Sequence, residues 1–292
     1  MSSPSPNPTS PTTARPSGDL AGRVALVTGA ASPIGMGNVV CRALVARGAR
    51  VAMVDVNADW LPDGLRRVEA EGGTGCALGI AADVSDPAAA TRAVERTIAE
   101  LGGLHVLVNN AGTTPRASGF TDRSCNAWEV PLEAWDRVVS VNLNGAFYMV
   151  RAAVPHLLAQ GFGRVIGVTT SLSTMFLARA TPYGPSKAGH EALVAALARE
   201  LAGSGVTANV LVPGGRTDTH FFASRSEQDR AKLLPPEVMG PPAAWLASDE
   251  SADANGLRVI ASRWDESLPI GRRLAVAASP AAWPSADGGA GA

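Results

Sequence analysis

Tyr183 and Lys187 are the two side chains whose types and spacing most clearly suggest chemistry, because together they could move a proton. A separation of four residues puts both on one face of a helix. A free phenol has a pKa of about 10, too high for a useful base, and we expect the adjacent ammonium to favour the phenolate and lower that pKa. Such pairs also occur on solvated helix faces. A chemical role is favoured here because the chain has two tyrosines, and Lys187 is one of two lysines among 25 Lys and Arg residues.

A glycine-rich loop follows the first apolar run, 23–28, and leads into a helical pattern. It reads Thr28-Gly29-Ala-Ala-Ser-Pro-Ile-Gly35-Met-Gly37. Between a strand and a helix, glycines permit a tight turn and let backbone N–H groups approach a pyrophosphate, whose charge the helix N-terminus favours. Asp55 ends the second strand, where a carboxylate accepts hydrogen bonds from the adenosine ribose and repels a 2′-phosphate. We therefore expect a dinucleotide cofactor, NAD rather than NADP, unless Arg23 or a more distant arginine folds back into the pocket.

Apolar strands alternate with amphipathic helices around these residues. The patterns predict strands at 23–28, 50–56, 75–81, 104–109, 164–169, 207–212 and 257–261, and helices at 38–47, 61–71, 87–101, 131–160, 183–202 and 242–248. Strands buried on both faces and separated by helices indicate a parallel α/β sheet with right-handed crossovers. We predict one domain over residues 19–278, a disordered Pro/Ser/Thr-rich arm at 1–18 and a disordered Ala/Pro/Gly-rich tail at 279–292.

Charge and composition exclude several classes of function. A formal net charge of −1 gives no field that would gather nucleic acid or anionic lipid. No apolar run approaches the roughly 20 residues that span a bilayer, and the first residues lack the apolar core of a signal peptide. Three cysteines (Cys41, Cys76 and Cys125) and four scattered histidines show no metal-ligand spacing. We expect no metal, no membrane or nucleic-acid partner, and a reducing, cytoplasmic location.

Five further segments follow the order and spacing of the short-chain dehydrogenase/reductase family, which the chain resembles from about Ala21 to Ala261. They are Asp83-Val84, Asn109-Asn110-Ala111-Gly112, Asn142 in a helix, Tyr183-Gly-Pro-Ser-Lys187, and Pro213-Gly214. The resemblance implies a Rossmann-type, doubly wound parallel sheet of about seven strands. It also implies hydride transfer between NAD(H) and a secondary alcohol or carbonyl substrate.

The resemblance further implies roles for single residues. Tyr183 would be the acid/base, Lys187 would also hold the nicotinamide ribose, and Asn142 would support a water in a proton relay. Thr217 or Thr219 would bind the carboxamide, and Phe221 and Phe222 would contact substrate. The predicted cofactor contacts are Gly29, Ser32, Ile34, Gly35, Gly37, Asp55, Asp83, Val84, Asn110, Ala111, Gly112, Tyr183, Lys187, Pro213, Gly214, Thr217 and Thr219.

The sequence departs from the family pattern at two places. Pro33 stands where Thr-Gly-x-x-x-Gly-x-Gly has a glycine, but the helix register pairs Gly35 and Gly37 with the last two glycines, so we predict a loop two residues longer. Thr170 stands where the family has its catalytic serine, and Ser171 is next. One of these two hydroxyls should bind the substrate oxygen, and we prefer Ser171 because serine is the usual residue.

Two other functions remain compatible with the sequence: an NADP-dependent carbonyl reductase on the same fold, and a catalytically silent NAD-binding sensor or scaffold. The resemblance suggests a homodimer or homotetramer formed through helices at 131–160 and 183–202. The loops at 113–130 and 214–240 should shape the substrate pocket. Steroid, sugar, polyol, hydroxy acid and hydroxyacyl substrates all remain open.

Overall fold

The computed structural model describes residues 18–120, 125–222 and 226–282, and only the backbone of Phe222. The predicted arm up to residue 17, the tail beyond residue 282 and residues 121–124 of the predicted substrate loop lie outside this description. So does the side chain of Phe222, which was predicted to contact substrate.

The described residues form one eight-stranded sheet with helices on both faces. The strands are β1 Val24–Thr28, β2 Arg50–Asp55, β3 Ala77–Ala81, β4 Val106–Asn109, β5 Gly163–Val168, β6 Val206–Val212, β7 Leu257–Ile260 and β8 Ala278–Pro280. The helices are α1 Met36–Ala46, α2 Leu61–Gly72, α3 Pro87–Leu101, α4 Leu132–Val139, α5 Gly145–Ala159, α6 Leu172–Met175, α7 Tyr183–Glu200, α8 Glu227–Arg230, α9 Gly240–Ala247 and α10 Ile270–Ala277.

The strand order, β3-β2-β1-β4-β5-β6-β7-β8, is that of a doubly wound sheet. Strands β1 to β7 are parallel, and β8 runs antiparallel to β7. The winding reverses between β1 and β4, so a crevice opens beyond the carboxyl ends of these strands. The predicted α/β fold is confirmed, with one antiparallel strand more than the predicted seven.

Two apolar cores, one on each face, hold the sheet. Side chains of β1 alternate between them: Ala25 and Val27 belong to the core beneath α1, α2 and α9, whereas Val24 and Leu26 belong to the core beneath α3, α5 and α7. Burial on both faces explains why these strands are almost continuously apolar in sequence.

The structure differs from the predicted elements at one helix and at one edge of the sheet, and it contains three helices that were not predicted, α6, α8 and α10. The long helix expected at 131–160 is interrupted by a π-helical turn over Ser140–Asn144, a distortion that often lies at functional sites. The tail expected to be disordered from residue 279 begins instead as β8, which pairs with β7. Among the described residues, no helix combines the length and apolar character that crossing a membrane requires.

Candidate active site

A cleft of about 680 Å³ lies at the point where the strand order reverses. Most of the predicted site residues line it: Gly29, Ser32, Gly35, Asp55, Asp83, Val84, Asn110, Ala111, Gly112, Tyr183, Lys187 and Thr219. Eight predicted residues are not among its lining: Ile34, Gly37, Asn142, Thr170, Ser171, Pro213, Gly214 and Thr217. Several of them affect the cleft indirectly, through packing or hydrogen bonds with residues that line it.

The glycine loop connects β1 to α1 beneath one end of the cleft. Gly29 has a φ of 65°, which favours glycine, and its N–H donates to the Val54 carbonyl at 2.8 Å. The helix begins directly after Gly35. A Cβ on Gly37 would lie 2.4 Å from the Gly29 carbonyl oxygen and 2.6 Å from Nδ2 of Asn110. Gly37 therefore allows α1 to pack closely against the end of β1, as expected for the last glycine of the predicted register. It does not line the cleft.

Asp55 ties the glycine loop to the end of β2. Its Oδ2 accepts a hydrogen bond from the Ala31 N–H, and its Oδ1 accepts one from the Asn57 N–H, both at 2.9 Å. The next residue, Val56, lines the cleft without charge. Arg23, which the sequence left open as a partner for a 2′-phosphate, precedes β1 at the amino ends of the strands, away from the cleft, and forms an ion pair with Asp249 there. The basic side chains of the described lining are Arg137, which is paired with Asp83, and Lys187, which lies beside Gly112, so neither is placed as a free partner for that phosphate.

Asp83 follows β3 and forms the next part of the wall. Its Oδ1 accepts hydrogen bonds from Ser85 N–H and Oγ, and its Oδ2 accepts one from Arg137 at 2.9 Å. Burial acts to raise the pKa of this carboxyl, but the Ser85 hydrogen bonds and the Arg137 guanidinium outweigh burial and hold it below its usual value. Asp83 is thus a charged, fixed group at the cleft.

Asn110 and Gly112, after β4, leave room and an open acceptor for a ligand. The Asn110 side chain donates to the Thr28 carbonyl at 2.8 Å and the Gly29 carbonyl at 3.0 Å. Its Oδ1 is buried with no protein partner among the described residues. A Cβ on Gly112 would lie 3.2 Å from Nζ of Lys187, a tight contact that a glycine avoids. This orphaned oxygen and bare backbone fit a nicotinamide dinucleotide lying along the cleft.

Tyr183 and Lys187 lie together on the first turns of α7, as their spacing predicts. Burial raises the pKa of the Tyr183 phenol to about 12, and a hydrogen bond with the Thr170 hydroxyl opposes that rise. Burial also lowers the pKa of Lys187 to about 8, and its Nζ donates to the Val168 carbonyl at 2.9 Å. The expectation that Lys187 lowers the tyrosine pKa is wrong here, because desolvation dominates for both groups.

The two candidate hydroxyls after β5 point to different partners. Ser171 caps the short helix α6: its Oγ accepts from the Thr174 N–H at 3.2 Å and lies 2.8 Å from Oγ1 of Thr174. The Thr170 hydroxyl, in contrast, lies close enough to Tyr183 to lower the pKa of the phenol. The geometry thus favours Thr170 over Ser171, the residue preferred from sequence, because the serine hydroxyl is engaged in capping.

Asn142 lies in the π-helical turn and is fully buried. Its Oδ1 accepts from the Thr113 N–H at 2.7 Å, and its Nδ2 donates to the Thr113 carbonyl and the Ser186 hydroxyl, each at 3.0 Å. Ser186 precedes Lys187. Asn142 therefore links the segment after Gly112 to the helix that carries the Tyr/Lys pair.

The segment after β6 brings one of its two threonines to the cleft. Gly214 has a φ of 92°, and a Cβ there would collide with the Ser262 hydroxyl at 2.1 Å. Thr217 is turned inward, bonding the Gly215 carbonyl at 3.3 Å. Thr219 lines the cleft. Of the two alternatives, the structure brings Thr219 to the cleft.

Several cleft residues were not named individually from sequence: Trp60, Thr113, Phe120, Arg137 and His220. Thr113, Phe120 and His220 do lie in the loops at 113–130 and 214–240 that were predicted to shape the pocket. Thr113 could have been found, since it directly follows Asn-Asn-Ala-Gly. His220 packs its ring 4.3 Å from that of Trp60 and places Nδ1 3.0 Å from Oγ of Ser32. No sequence signal predicts such contacts between residues so distant along the chain.

Comparison with known proteins agrees with this geometry. The short chain dehydrogenase family model matches residues 23–230. A Sphingomonas protein named 2-dehydro-3-deoxy-L-rhamnonate dehydrogenase (NAD(+)) is 37% identical over 67% of this chain and 73% of its own length. D-threitol dehydrogenase of Mycolicibacterium smegmatis is 34% identical over 82% of this chain and 92% of its own.

Among solved structures, a putative short-chain alcohol dehydrogenase from Sinorhizobium meliloti superposes with a TM-score of 0.72 at 30% identity. The match covers 83% of this chain and 96% of that one. The fold, the cleft at the strand switch point and the family match lead to one conclusion. The chain belongs to the short-chain dehydrogenase family of oxidoreductases, which act on CH–OH groups.

Proposed function

We propose that this protein transfers hydride between NAD(H) and a secondary alcohol or ketone, with Tyr183 as the acid/base. The observation that carries the proposal is that Tyr183 and Lys187 meet at one wall of the cleft, with Thr170 next to the phenol. The Thr170 hydroxyl lies close enough to Tyr183 to lower the pKa of the phenol, and Lys187 lies beside Gly112, where a Cβ would come within 3.2 Å of its Nζ. A phenol, a second hydroxyl and an ammonium can together bind a substrate oxygen and exchange its proton.

The proton steps belong to Tyr183 and Thr170. With its pKa raised to about 12, Tyr183 is protonated at neutral pH and ready to donate to a carbonyl oxygen during reduction. Oxidation requires the phenolate, which forms when the phenol proton leaves by the path of Lys187; the phenolate then takes the proton from the alcohol, while the Thr170 hydroxyl holds the substrate oxygen in place. Bound NAD(H) accepts or supplies the hydride.

Lys187 and Asn142 serve the path by which the proton leaves. Lys187 has a pKa of about 8 and is therefore mostly charged at neutral pH. One of its three N–H donors is held by the Val168 carbonyl, which leaves donors for the nicotinamide ribose and for a proton relay. Asn142 fixes Thr113 and Ser186 on either side of this lysine.

We infer a preference for NAD over NADP from Asp55. The carboxylate is fixed by two backbone N–H groups at 2.9 Å, and each oxygen retains capacity to accept a ribose hydroxyl. The basic side chains of the described lining do not offset repulsion of a 2′-phosphate there, because Arg137 is paired with Asp83 and Lys187 lies beside Gly112. The Sphingomonas relative, named as an NAD(+) enzyme, points the same way.

The expected substrate class, oligomeric state and location follow from the family and from the free cysteines. The substrate is a small alcohol or carbonyl compound whose apolar contacts come from Phe120 and Phe221, which line the cleft. A homodimer or homotetramer is expected through α4, α5 and α7. The free cysteines Cys41, Cys76 and Cys125 agree with a reducing, cytoplasmic location.

The cofactor assignment is tested by titrating purified protein with NADH and NADPH and following nicotinamide fluorescence, for the wild type and Asp55→Ala. We expect the wild type to bind NADH at least about 10-fold more tightly than NADPH, and the variant to lose this preference. Equal or tighter NADPH binding by the wild type would overturn the Asp55 argument. Tight NADH binding without turnover of any alcohol or ketone would indicate a sensor or scaffold instead.

A further inference from the structure

A buried ion pair, Glu191 and Arg258, contacts the end of β5 at Thr169 and Thr170. Both residues are almost completely buried, with 1% and 5% exposure. Nη1 of Arg258 forms a short contact with Oε2 of Glu191. The same Oε2 accepts from the Thr169 hydroxyl at 2.8 Å, and Nη2 of Arg258 donates to the Thr170 carbonyl at 2.7 Å. The pair therefore holds Thr169 through its side chain and Thr170 through its backbone carbonyl, directly after β5.

The pair connects the three elements whose relative positions determine the site. Glu191 is on α7, the helix that begins with Tyr183. Arg258 is on β7, and Thr170 follows β5. Tyr183 and Glu191 share a rigid helix. Glu191 is held against Thr169 directly and against Thr170 through Arg258, and these contacts therefore also hold the phenol in position relative to Thr170.

We propose that Glu191 and Arg258 are positioning residues for the reaction: they hold Thr170 in place beside Tyr183. This inference rests on the proposed function for its catalytic consequence. Neither side chain lines the cleft, so their effect passes through Thr170. An arginine suits the task because its guanidinium has separate nitrogens for Glu191 and for the Thr170 carbonyl.

The end of the described chain is attached to the same pair. The Ala282 N–H donates to Oε1 of Glu191 at 3.2 Å, and β8 pairs with β7 through Arg258 and Ser279. Among the described residues, the Glu191 carboxylate therefore has polar contacts with Thr169, Arg258 and Ala282. These contacts join α7 to the end of β5, to β7 and to the segment after β8. This arrangement explains why a buried charge is tolerated one helix turn beyond the Lys187 region, since buried charges need a partner and hydrogen bonds.

The test compares Arg258→Lys with a matched variant, Arg164→Lys. Lysine at 258 keeps the charge opposite Glu191 but cannot bond Glu191 and the Thr170 carbonyl in the same way. Arg164 is also buried, at 3% exposure, and bonds the Ser248, Gly163 and Gly205 carbonyls at the opposite end of β5. Its replacement should cost stability without reaching the cleft.

Two readouts separate positioning from stability. The first is kcat with KM and the NADH dissociation constant. The second is fluorine NMR of protein labelled with fluorotyrosine, in which the chain's two tyrosines, Tyr148 and Tyr183, give two assignable signals. If a single variant fails to fold, the double variant Glu191→Met/Arg258→Met replaces the pair with apolar side chains of similar length, an exchange that buried pairs often tolerate.

We expect Arg258→Lys to lower kcat about 10- to 100-fold, as small misplacements at active sites do, with NADH affinity within about twofold of the wild type. The Tyr183 signal should shift as it does in Thr170→Val, whereas the Tyr148 signal and both signals of Arg164→Lys should stay. A Tyr183 signal and kcat unaffected in Arg258→Lys and in the double variant would refute the proposal. If the wild type shows no turnover but Arg258→Lys still shifts the Tyr183 signal, the proposed function is refuted and the positioning role stands.

Discussion

Replacing Lys187 by methionine should stabilise the folded protein while removing activity. Burial lowers the pKa of this lysine from 10.5 to about 8, so keeping it charged in the folded protein at neutral pH costs about 3 kcal/mol. Methionine removes that cost at similar length. It also removes the hydrogen bond to the Val168 carbonyl, worth about 1 kcal/mol. The net expectation is a gain of about 2 kcal/mol in the free energy of unfolding at pH 7.

The pH dependence gives this expectation a distinctive sign. Between pH 8 and 10.5 the unfolded chain holds a proton on Lys187 that the folded chain has released. The unfolded state then binds more protons, so the folded wild type gains stability as the pH rises. The cost is fully present below pH 8 and gone above 10.5. The advantage of Lys187→Met should therefore be largest at pH 7 and nearly vanish at about pH 10.

The assay is urea unfolding of the wild type and Lys187→Met at both pH values, followed by tryptophan fluorescence. Lys232→Met is the matched control, because Lys232 is the chain's other lysine and its side chain is 76% exposed. The control should change stability by no more than about 0.5 kcal/mol at either pH. A Lys187→Met protein that is less stable than the wild type at pH 7, or whose advantage does not depend on pH, would refute the reasoning.

Two further predictions concern the hydroxyl pair and the glycine loop. Thr170→Val should lower kcat about 100-fold, because Tyr183 loses its partner hydroxyl. Ser171→Ala should keep kcat within about threefold and cost about 1 kcal/mol of stability, because Ser171 caps a helix. Steady-state kinetics and urea unfolding check both variants, and a larger loss of kcat in Ser171→Ala would make Ser171 the catalytic hydroxyl. Gly37→Ala should weaken NADH binding and stability, since its Cβ would meet the Gly29 carbonyl at 2.4 Å. Gly271→Ala, where a Cβ meets nothing within 4 Å, should instead be neutral or stabilising by up to about 1 kcal/mol.

The fold could be predicted from sequence because its signals are local. Apolar strands such as 164–169 and amphipathic helices such as 87–101 keep their periodicity, and the latter has the bounds Pro87–Leu101 in the structure. The strand Ala278–Pro280 could not be predicted, because its three residues pair with β7 through backbone hydrogen bonds and have no periodicity of their own. The π-helical turn at Ser140–Asn144 is invisible for a similar reason, since it preserves the helical pattern on both sides.

The site could be predicted where spacing determines geometry and not where burial or long-range contact does. Tyr183 and Lys187 share a helix face because they are four residues apart. Their pKa values depend on desolvation, which no local pattern reveals, and so the expected direction for Tyr183 was wrong. The preference for Ser171 failed to anticipate that a serine just before a helix serves as its cap. The contact between Arg258 and Thr170 joins residues 88 apart in sequence.

The central claim is that Tyr183 exchanges the substrate proton while hydride moves between NAD(H) and a carbon atom. Its most direct test is the absorbance of reduced nicotinamide in mixtures of protein, NAD and a panel of secondary alcohols, for the wild type and Tyr183→Phe. We predict turnover by the wild type and a loss of about 100-fold or more in the variant, with NADH affinity unchanged. Equal turnover by the two proteins would contradict the account.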